Sequence, residues 1–115
     1  MNLYTHIWLY SDLPVEKIEE VIYSIETKDV CDLRKNELPP GWTYSKRGGD
    51  FCCYPYYVEF DLKESDVTQE EAVARVTQLV RRLSQVGCHA VPACDFEDLL
   101  PDDVRWEEGN SLIGQ

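Results

Sequence analysis

The segment from Leu3 to Tyr10 alternates between two sets of side chains, and this alternation constrains the fold more than any other feature of the chain. One set is Leu3, Thr5, Ile7 and Leu9, and the other is Tyr4, His6, Trp8 and Tyr10. A period of two residues is typical of a strand with one buried face. The pattern therefore predicts a sheet that packs on a core with one face and carries aromatic rings on the other.

Two segments have the spacing of amphipathic helices. Pro14 suits a first helical turn, Asp12 can serve as a cap, and apolar residues recur every three or four positions to about Thr27. Thr68 followed by Glu71 forms a capping box ahead of a second apolar stripe, which stops at Gly87. The sequence predicts one helix over 14–27 and another over 68–87.

Further strands are predicted in the middle and near the end of the chain. Trp42–Lys46 and Phe51–Leu62 are rich in aromatic residues, and Gly48-Gly49 between them suits a tight hairpin turn. Residues 28–40 are interpreted as a connection with a short extended piece. The segment Cys88–Cys94 contains Pro92, which restricts it to an edge strand or a bulge.

The resulting order of strand, helix, strand, strand, helix, strand predicts an α+β fold. It matches the ferredoxin-like split βαβ arrangement (βαββαβ), an antiparallel sheet with two helices on one face. Right-handed crossovers place the first and third strands at the centre. Pro55 in a central third strand then predicts a bulge.

The length of 115 residues supports one core, so we expect a single domain over 1–100 and an acidic extension over 101–115 that packs loosely on it. The sequence has no apolar run of the roughly 18 residues that a membrane span needs. The first residues lack the basic segment of a secretory signal, so the five cysteines are interpreted as reduced thiols of a cytoplasmic protein.

The chain is strongly acidic, with eleven Lys and Arg against twenty-two Asp and Glu and a net charge of −11. Nucleic acids bind proteins through Lys and Arg that displace counterions, so this charge disfavours nucleic acid and anionic lipid as partners. The same charge would steer a basic protein toward the molecule. Acidity that only maintains solubility is the alternative.

The aromatic face of the sheet is the first candidate surface. We expect Tyr4, His6, Trp8 and Tyr57 to lie on it, while Tyr54, Tyr56, Val58, Phe60 and Leu62 are assigned to the core. Exposed aromatic patches mark interfaces. The face could bind a foreign partner, form a homodimer, or be covered by a C-terminal tail carrying Trp106 and Leu112.

The acidic segment from Asp95 to Asp103 is the second candidate surface. Asp95, Glu97 and Asp98 could pair with Lys or Arg of a basic partner while Phe96, Leu99 and Leu100 anchor the contact. A short helix capped by Asp95, with Leu99-Leu100 against the core, is the alternative.

Catalytic and metal-binding patterns are weak. Cys52-Cys53 would point to opposite faces of a strand, and Cys88, His89 and Cys94 have no CxxC spacing, so no metal and no cofactor is expected. A zinc site joining His6 to His89 or Cys94 stays open as a minor alternative. A nucleophile elbow, a Walker loop and a dinucleotide fingerprint are absent from the sequence, and no catalytic residue is assigned.

These observations favour a small non-catalytic interaction protein that binds a basic partner, with an immunity or inhibitor role as its most concrete form. The electrostatic logic is that of small acidic proteins that neutralise basic nuclease toxins. A small enzyme or ligand-binding domain with a pocket over the open sheet, lined by His6, Trp8 and Tyr57, is the alternative. A homodimeric structural module is a third hypothesis.

Overall fold

The computed structural model describes residues 2–105. Its helices and strands are β1 (Tyr4–Tyr10), α1 (Val15–Tyr23), β2 (Cys31–Lys35), β3 (Tyr56–Asp61), α2 (Gln69–Gln85) and β4 (His89–Cys94). Two single turns of 3₁₀ helix cover Phe51–Cys53 and Glu97–Leu99. The four strands form one antiparallel sheet in the order β2-β3-β1-β4, so the described residues have an α+β fold.

The alternation in β1 separates the two faces of the sheet as the sequence predicts. Leu3, Thr5, Ile7 and Leu9 are buried, whereas Tyr4, His6, Trp8 and Tyr10 are half-buried. Val58 and Phe60 of β3 lie opposite Ile7 and Thr5 and belong to the same core. We call the face that carries His6 and Trp8 the open face.

Helix α2 begins and ends where its sequence signals indicate. The Thr68 side chain accepts the Glu71 N–H at 3.1 Å, and the Glu71 carboxylate accepts the Thr68 N–H at 3.0 Å, which confirms the capping box. The chain leaves the helix through Gly87, whose φ of 94° favours glycine. Buried Val76, Leu79 and Leu83 contribute its apolar stripe to the core.

Helix α1 is shorter than the 14–27 segment predicted from its periodicity. It ends at Tyr23, and the N–H groups of Ile25 and Glu26 donate to the Ile22 carbonyl as the chain turns away. The cap expected from Asp12 is wrong, because the Asp12 carboxylate accepts the Tyr10 hydroxyl at 3.1 Å and the N-terminus has no side-chain cap.

The prediction of a second strand at Trp42–Lys46 is wrong, since β2 is formed by Cys31–Lys35. Cys31 and Leu33 point toward the core and pair opposite Phe60 and Val58. The two strands are therefore joined by a loop of residues 36–55, which we call the β2–β3 loop, and not by a tight turn at Gly48-Gly49.

The two prolines that complicated the sequence pattern occupy permissive positions. Pro55 precedes β3, and its carbonyl accepts the Asn36 N–H at 2.9 Å. Because the strand begins after the proline, the predicted bulge at Pro55 is not needed. Pro92 lies opposite Ile7 in β4, which is an edge strand as predicted.

Residues that follow β4 add to the core. Phe96, Leu100 and Val104 are buried in it, and Arg81 of α2 forms a bidentate ion pair with Asp103 at 2.9 Å. Trp106 and Leu112, which the sequence offered as a cover for the aromatic face, lie outside the described residues. Within residues 2–105 no helix has the length and apolarity required to cross a bilayer.

Candidate functional site

Three aromatic side chains form a compact group at the centre of the open face. Strand pairing places Tyr57 opposite Trp8 and two residues along β3 from Glu59, which is the residue opposite His6. The His6 ring stacks on Tyr57 with centroids 4.5 Å apart and planes 18° apart, and its centroid lies 4.1 Å from that of Trp8. The expectation that these residues share one face is met for all three.

His6 is held in this group as a neutral imidazole. Its pKa is lowered because burial disfavours the charged ring, and the carboxylate of Glu59 opposes this shift only partly. The Nδ1 atom faces the Tyr4 hydroxyl at 3.4 Å, whereas Nε2 is buried and has no hydrogen-bond partner among the described residues. His6 therefore contributes a stacked, uncharged ring to the face.

Part of the open face is covered by the β2–β3 loop. The Phe51 ring packs at 6.5 Å from Trp8, and the Tyr54 ring packs at 5.9 Å from Tyr10. The Tyr54 hydroxyl is 2.7 Å from Nδ1 of His89, which pairs opposite Tyr10 in the sheet. Assigning Tyr54 to the core beneath the helices is therefore wrong: its ring is buried against the open face, because Pro55 and the loop direct it there before β3 begins.

The uncovered part of the open face lies toward the start of β1. Tyr4 pairs opposite Asp61 on one side, and Thr5 pairs opposite Cys94 on the other, so Asp95 comes level with Tyr4. The acidic segment thus continues from the end of β4 that lies next to the start of β1. We use the name acidic end for six carboxylates of this region: Asp32, Glu59 and Asp61 lie on β2 and β3, Asp95 follows β4, and Glu97 and Asp98 belong to the adjoining 3₁₀ turn.

Two cations face these six carboxylates within the described residues. Arg34 contacts Asp32 at 2.9 Å and Glu59 at 3.5 Å, and Lys63 contacts Asp61 at 2.8 Å. All three ion pairs are solvent-exposed and contribute little to stability. The acidic end therefore keeps a surplus of negative charge.

The predicted acidic segment folds as a single 3₁₀ turn that separates its charged and apolar residues. Asp95, Glu97 and Asp98 are exposed. Phe96 is buried in the core and fixes the turn, so the expectation that it anchors a partner contact is wrong. Leu99 is 54% exposed, which contradicts the alternative that packs it against the core.

Sequence reasoning missed two exposed aromatic residues in the β2–β3 loop. Trp42 and Tyr44 were assigned to a strand, and their side chains are 59% and 43% exposed. The Tyr44 hydroxyl donates to the Asn36 carbonyl at 2.6 Å, which ties the loop to the end of β2. The Pro39-Pro40-Gly41 sequence ahead of them was the available signal, because it breaks an extended segment.

Two grooves of the described surface lie outside the centre of the aromatic group. One of about 720 Å³ lies along α2, beside the Ser24-Ile25 segment that follows α1, and includes Arg81 and Arg82. Another of about 430 Å³ lies beside β2 and is lined in part by Tyr57. Tyr57 therefore borders a groove, whereas His6 and Trp8 line neither of these two grooves.

The titratable side chains lack a metal-binding or nucleophilic arrangement within residues 2–105. His, Cys, Asp and Glu form no group of three suited to a metal ion there. Burial raises the pKa of Cys31 to about 12 and raises the pKa values of Cys88 and Cys94. Protonated thiols of this kind are poor nucleophiles.

Comparison with known proteins finds no family model that matches the chain and no significant match among curated proteins or solved structures.

Proposed function

We propose that this protein is a non-catalytic binding module that docks a basic protein at the acidic end of its sheet. The observation that carries the proposal is the position of Tyr4, which pairs opposite Asp61, contacts His6 of the His6–Tyr57 stack through its hydroxyl, and precedes Thr5, whose partner Cys94 comes just before Asp95. Aromatic side chains next to a surplus of carboxylates supply both contact area and charge complementarity.

The charge of the acidic end suits association more than stability. Its exposed carboxylates raise the rate at which a basic partner arrives, and this attraction weakens as salt screens it. The half-buried rings of Tyr4 and Tyr57 then provide apolar contact, and that of Tyr57 does so with little loss of side-chain entropy because stacking on His6 already restricts its rotamer.

Inhibition of a basic enzyme is the most concrete form of this proposal. An acidic surface that fits a basic active-site cleft would exclude its anionic substrate. The chain itself would then need no catalytic residue.

Paired charge variants test the proposal. Asp95→Asn with Glu97→Gln removes two carboxylates from the acidic end, and Glu16→Gln with Glu20→Gln removes two exposed carboxylates from α1. The two double variants carry the same net charge. We expect capture from the native host's lysate to yield a basic protein that elutes as salt rises, and titration with that protein to show about tenfold weaker binding for the first variant alone.

Equal loss of affinity in both double variants would show non-specific charge attraction and contradict a defined acidic site. A captured partner that is acidic, or that stays bound at high salt, would overturn the proposal. The partner's own activity, assayed with and without the bound chain, then separates an inhibitor from a passive binding module.

We also propose that the fold is of the ferredoxin-like type. The element order β1-α1-β2-β3-α2-β4 and the strand order β2-β3-β1-β4 support this assignment. Buried residues of both helices share one core with Leu3, Ile7 and Leu9, which also supports it. An experimental structure with the two helices on opposite faces of the sheet would contradict it.

A further inference from the structure

Strand β2 forms an edge of the sheet, and its hydrogen-bonding groups alternate in direction. The Val30 carbonyl accepts the Asp61 N–H at 2.7 Å, and the Asn36 N–H donates to the Pro55 carbonyl at 2.9 Å. In an antiparallel ladder the backbone N–H and C=O groups of the even-numbered β2 residues therefore point toward β3. The backbone N–H and C=O groups of Cys31, Leu33 and Lys35 point outward, away from the sheet.

Several of these outward groups have no partner among the described residues. The Cys31 N–H donates to the Thr27 carbonyl at 3.0 Å, and the Leu33 N–H makes a long 3.4 Å contact with the Tyr23 hydroxyl. The three outward carbonyls and the Lys35 N–H are left for an added strand.

The side chains of β2 determine which strand fits there. Asp32 and Arg34 lie on the open face, on either side of Leu33. If a second β2 is placed antiparallel with Leu33 opposite Leu33, Asp32 of each copy faces Arg34 of the other. Opposite charges directly across two strands attract, and like charges repel.

From this complementarity we propose that two copies of the chain associate through their β2 edges, with the two-fold axis at Leu33. A two-fold interface requires a surface that complements itself, and the Asp32-Leu33-Arg34 sequence meets this condition. Centring the pair on Lys35 would place two lysines opposite each other, so the charges favour the Leu33 register.

The helix side of the edge also accommodates a second copy. A groove of about 330 Å³ lies along β2 and is lined in part by Val15, Leu33 and Tyr56. In the proposed register the second Leu33 side chain points to this same side of the sheet. Apolar contact between the two leucines would then accompany the backbone hydrogen bonds.

The dimer is independent of the proposed basic partner. It extends the sheet from four to eight strands and places two open faces side by side on one surface. In each copy Tyr4, Asp61 and Asp95 lie away from the outer edge of β2, whereas Asp32, the one member of the acidic end on β2, would face Arg34 of the second copy.

Charge exchange between the two strands is the decisive experiment. Asp32→Arg places arginine opposite arginine in a homodimer, and Arg34→Asp places aspartate opposite aspartate. We expect sedimentation velocity to show a concentration-dependent dimer for the natural chain and at least about tenfold weaker self-association for each single variant. An equimolar mixture of the two variants should dimerise again, since every cross-strand pair is then complementary.

Proline at an outward position provides a second test. Lys35→Pro removes an outward N–H without removing a hydrogen bond to β3, and Lys35→Ala is its matched control. We expect dimerisation to weaken in the proline variant alone. Tyr23→Phe should strengthen it, because the Leu33 N–H is released from the tyrosine hydroxyl.

A chain that stays monomeric into the millimolar range would overturn the proposal. A dimer that responds to Tyr57→Ala but not to the β2 variants would place the contact on the open face and would also overturn it. Failure of the mixed variants to pair would reject the Leu33 register. None of these results depends on whether a basic protein is captured, so the two proposals fail separately.

Discussion

Two histidines of the open face combine burial with few hydrogen-bonding partners. His6 is stacked between Trp8 and Tyr57, and His89 lies against Tyr54, whose hydroxyl is 2.7 Å from its Nδ1 atom. Burial is the main cause that lowers the pKa of each ring, and nearby Arg47 lowers that of His89 further. The folded protein therefore binds fewer protons at these sites than the unfolded chain does.

This difference predicts that the free energy of unfolding falls as the pH is lowered from about 7.5 to about 5. The two neutral rings contribute their full stability when the pH is above the pKa that histidine has in the unfolded chain. This contribution is lost as the pH falls toward the lower pKa values of the two histidines in the folded protein. Urea unfolding at several pH values measures the effect. The pKa values of Glu71 and Asp103 are also lowered, but ordinary carboxyl groups already have pKa values below about 5. These two carboxylates therefore do not contribute to the change between about pH 7.5 and pH 5.

The variant with His6→Gln and His89→Gln serves as the control for this pH dependence. Glutamine keeps a polar side chain that does not titrate, so we expect the dependence between about pH 7.5 and pH 5 to become nearly flat. An equally steep dependence in the double variant would assign the effect to other groups.

At the scale of elements, the β2–β3 loop is held on the sheet by a small set of buried polar contacts. Asn36 is buried, and its Nδ2 donates to the carbonyls of Cys52 and Tyr54 at 3.0 and 2.8 Å. The Tyr54 hydroxyl contacts His89 and accepts the Gly48 N–H at 3.3 Å. These contacts decide how much of the open face the loop covers.

Tyr54→Phe should therefore destabilise the protein by about 1–3 kcal/mol, because it leaves polar atoms of His89 and Gly48 without their partner. Urea unfolding measures the loss, and hydrogen exchange should become faster at Gly48. Tyr44→Phe is a suitable control, since it removes one hydrogen bond from a half-exposed side chain and should cost less. Equal losses in the two variants would contradict this assignment.

The success of sequence-based prediction differed between elements for physical reasons. Strand β1 and helix α2 carry complete local signals, namely a strict alternation and a capping box followed by an apolar stripe. Strand β2 is short, and its position depends on pairing with β3, which lies some twenty residues further along the chain. The aromatic residues Trp42 and Tyr44 have a higher strand propensity than the segment around Cys31 and Leu33. The sequence therefore predicts the second strand in the loop and not at Cys31–Lys35.

The candidate site was predictable where it depended on alternation. His6, Trp8 and Tyr57 share a face because strand side chains alternate, and their contact follows from the antiparallel register. Burial of Phe96 and coverage of Trp8 by Phe51 were not predictable, because both depend on how a loop or turn folds back onto the sheet.

For the molecule as a whole the net charge is −11, and twenty of the twenty-two acidic residues lie within the described residues 2–105. Folding brings these charges closer together than they are in the unfolded chain, so their mutual repulsion opposes the compact state. Exposed ion pairs such as Arg81–Asp103 offset only a little of it.

We therefore expect the thermal unfolding temperature to rise when salt is increased from about 0.01 M to about 0.15 M, which shortens the Debye length from about 30 Å to about 8 Å. Differential scanning calorimetry measures the rise. The Glu16→Gln and Glu20→Gln variant should show a smaller one, because it carries less charge to screen. A lower unfolding temperature at the higher salt concentration would indicate that attractive ion pairs outweigh the repulsion.

The two edges of the sheet differ in a way that limits assembly. Strand β4 contains Pro92, and a proline in an edge strand leaves its missing N–H on the solvent side. Chains that add strand to strand at both edges build open-ended filaments, whereas chains with one receptive edge stop at a closed pair. We therefore expect Pro92 to oppose strand addition at β4 and the fibre growth that two receptive edges would allow, and its replacement by a residue with a backbone N–H should weaken this protection.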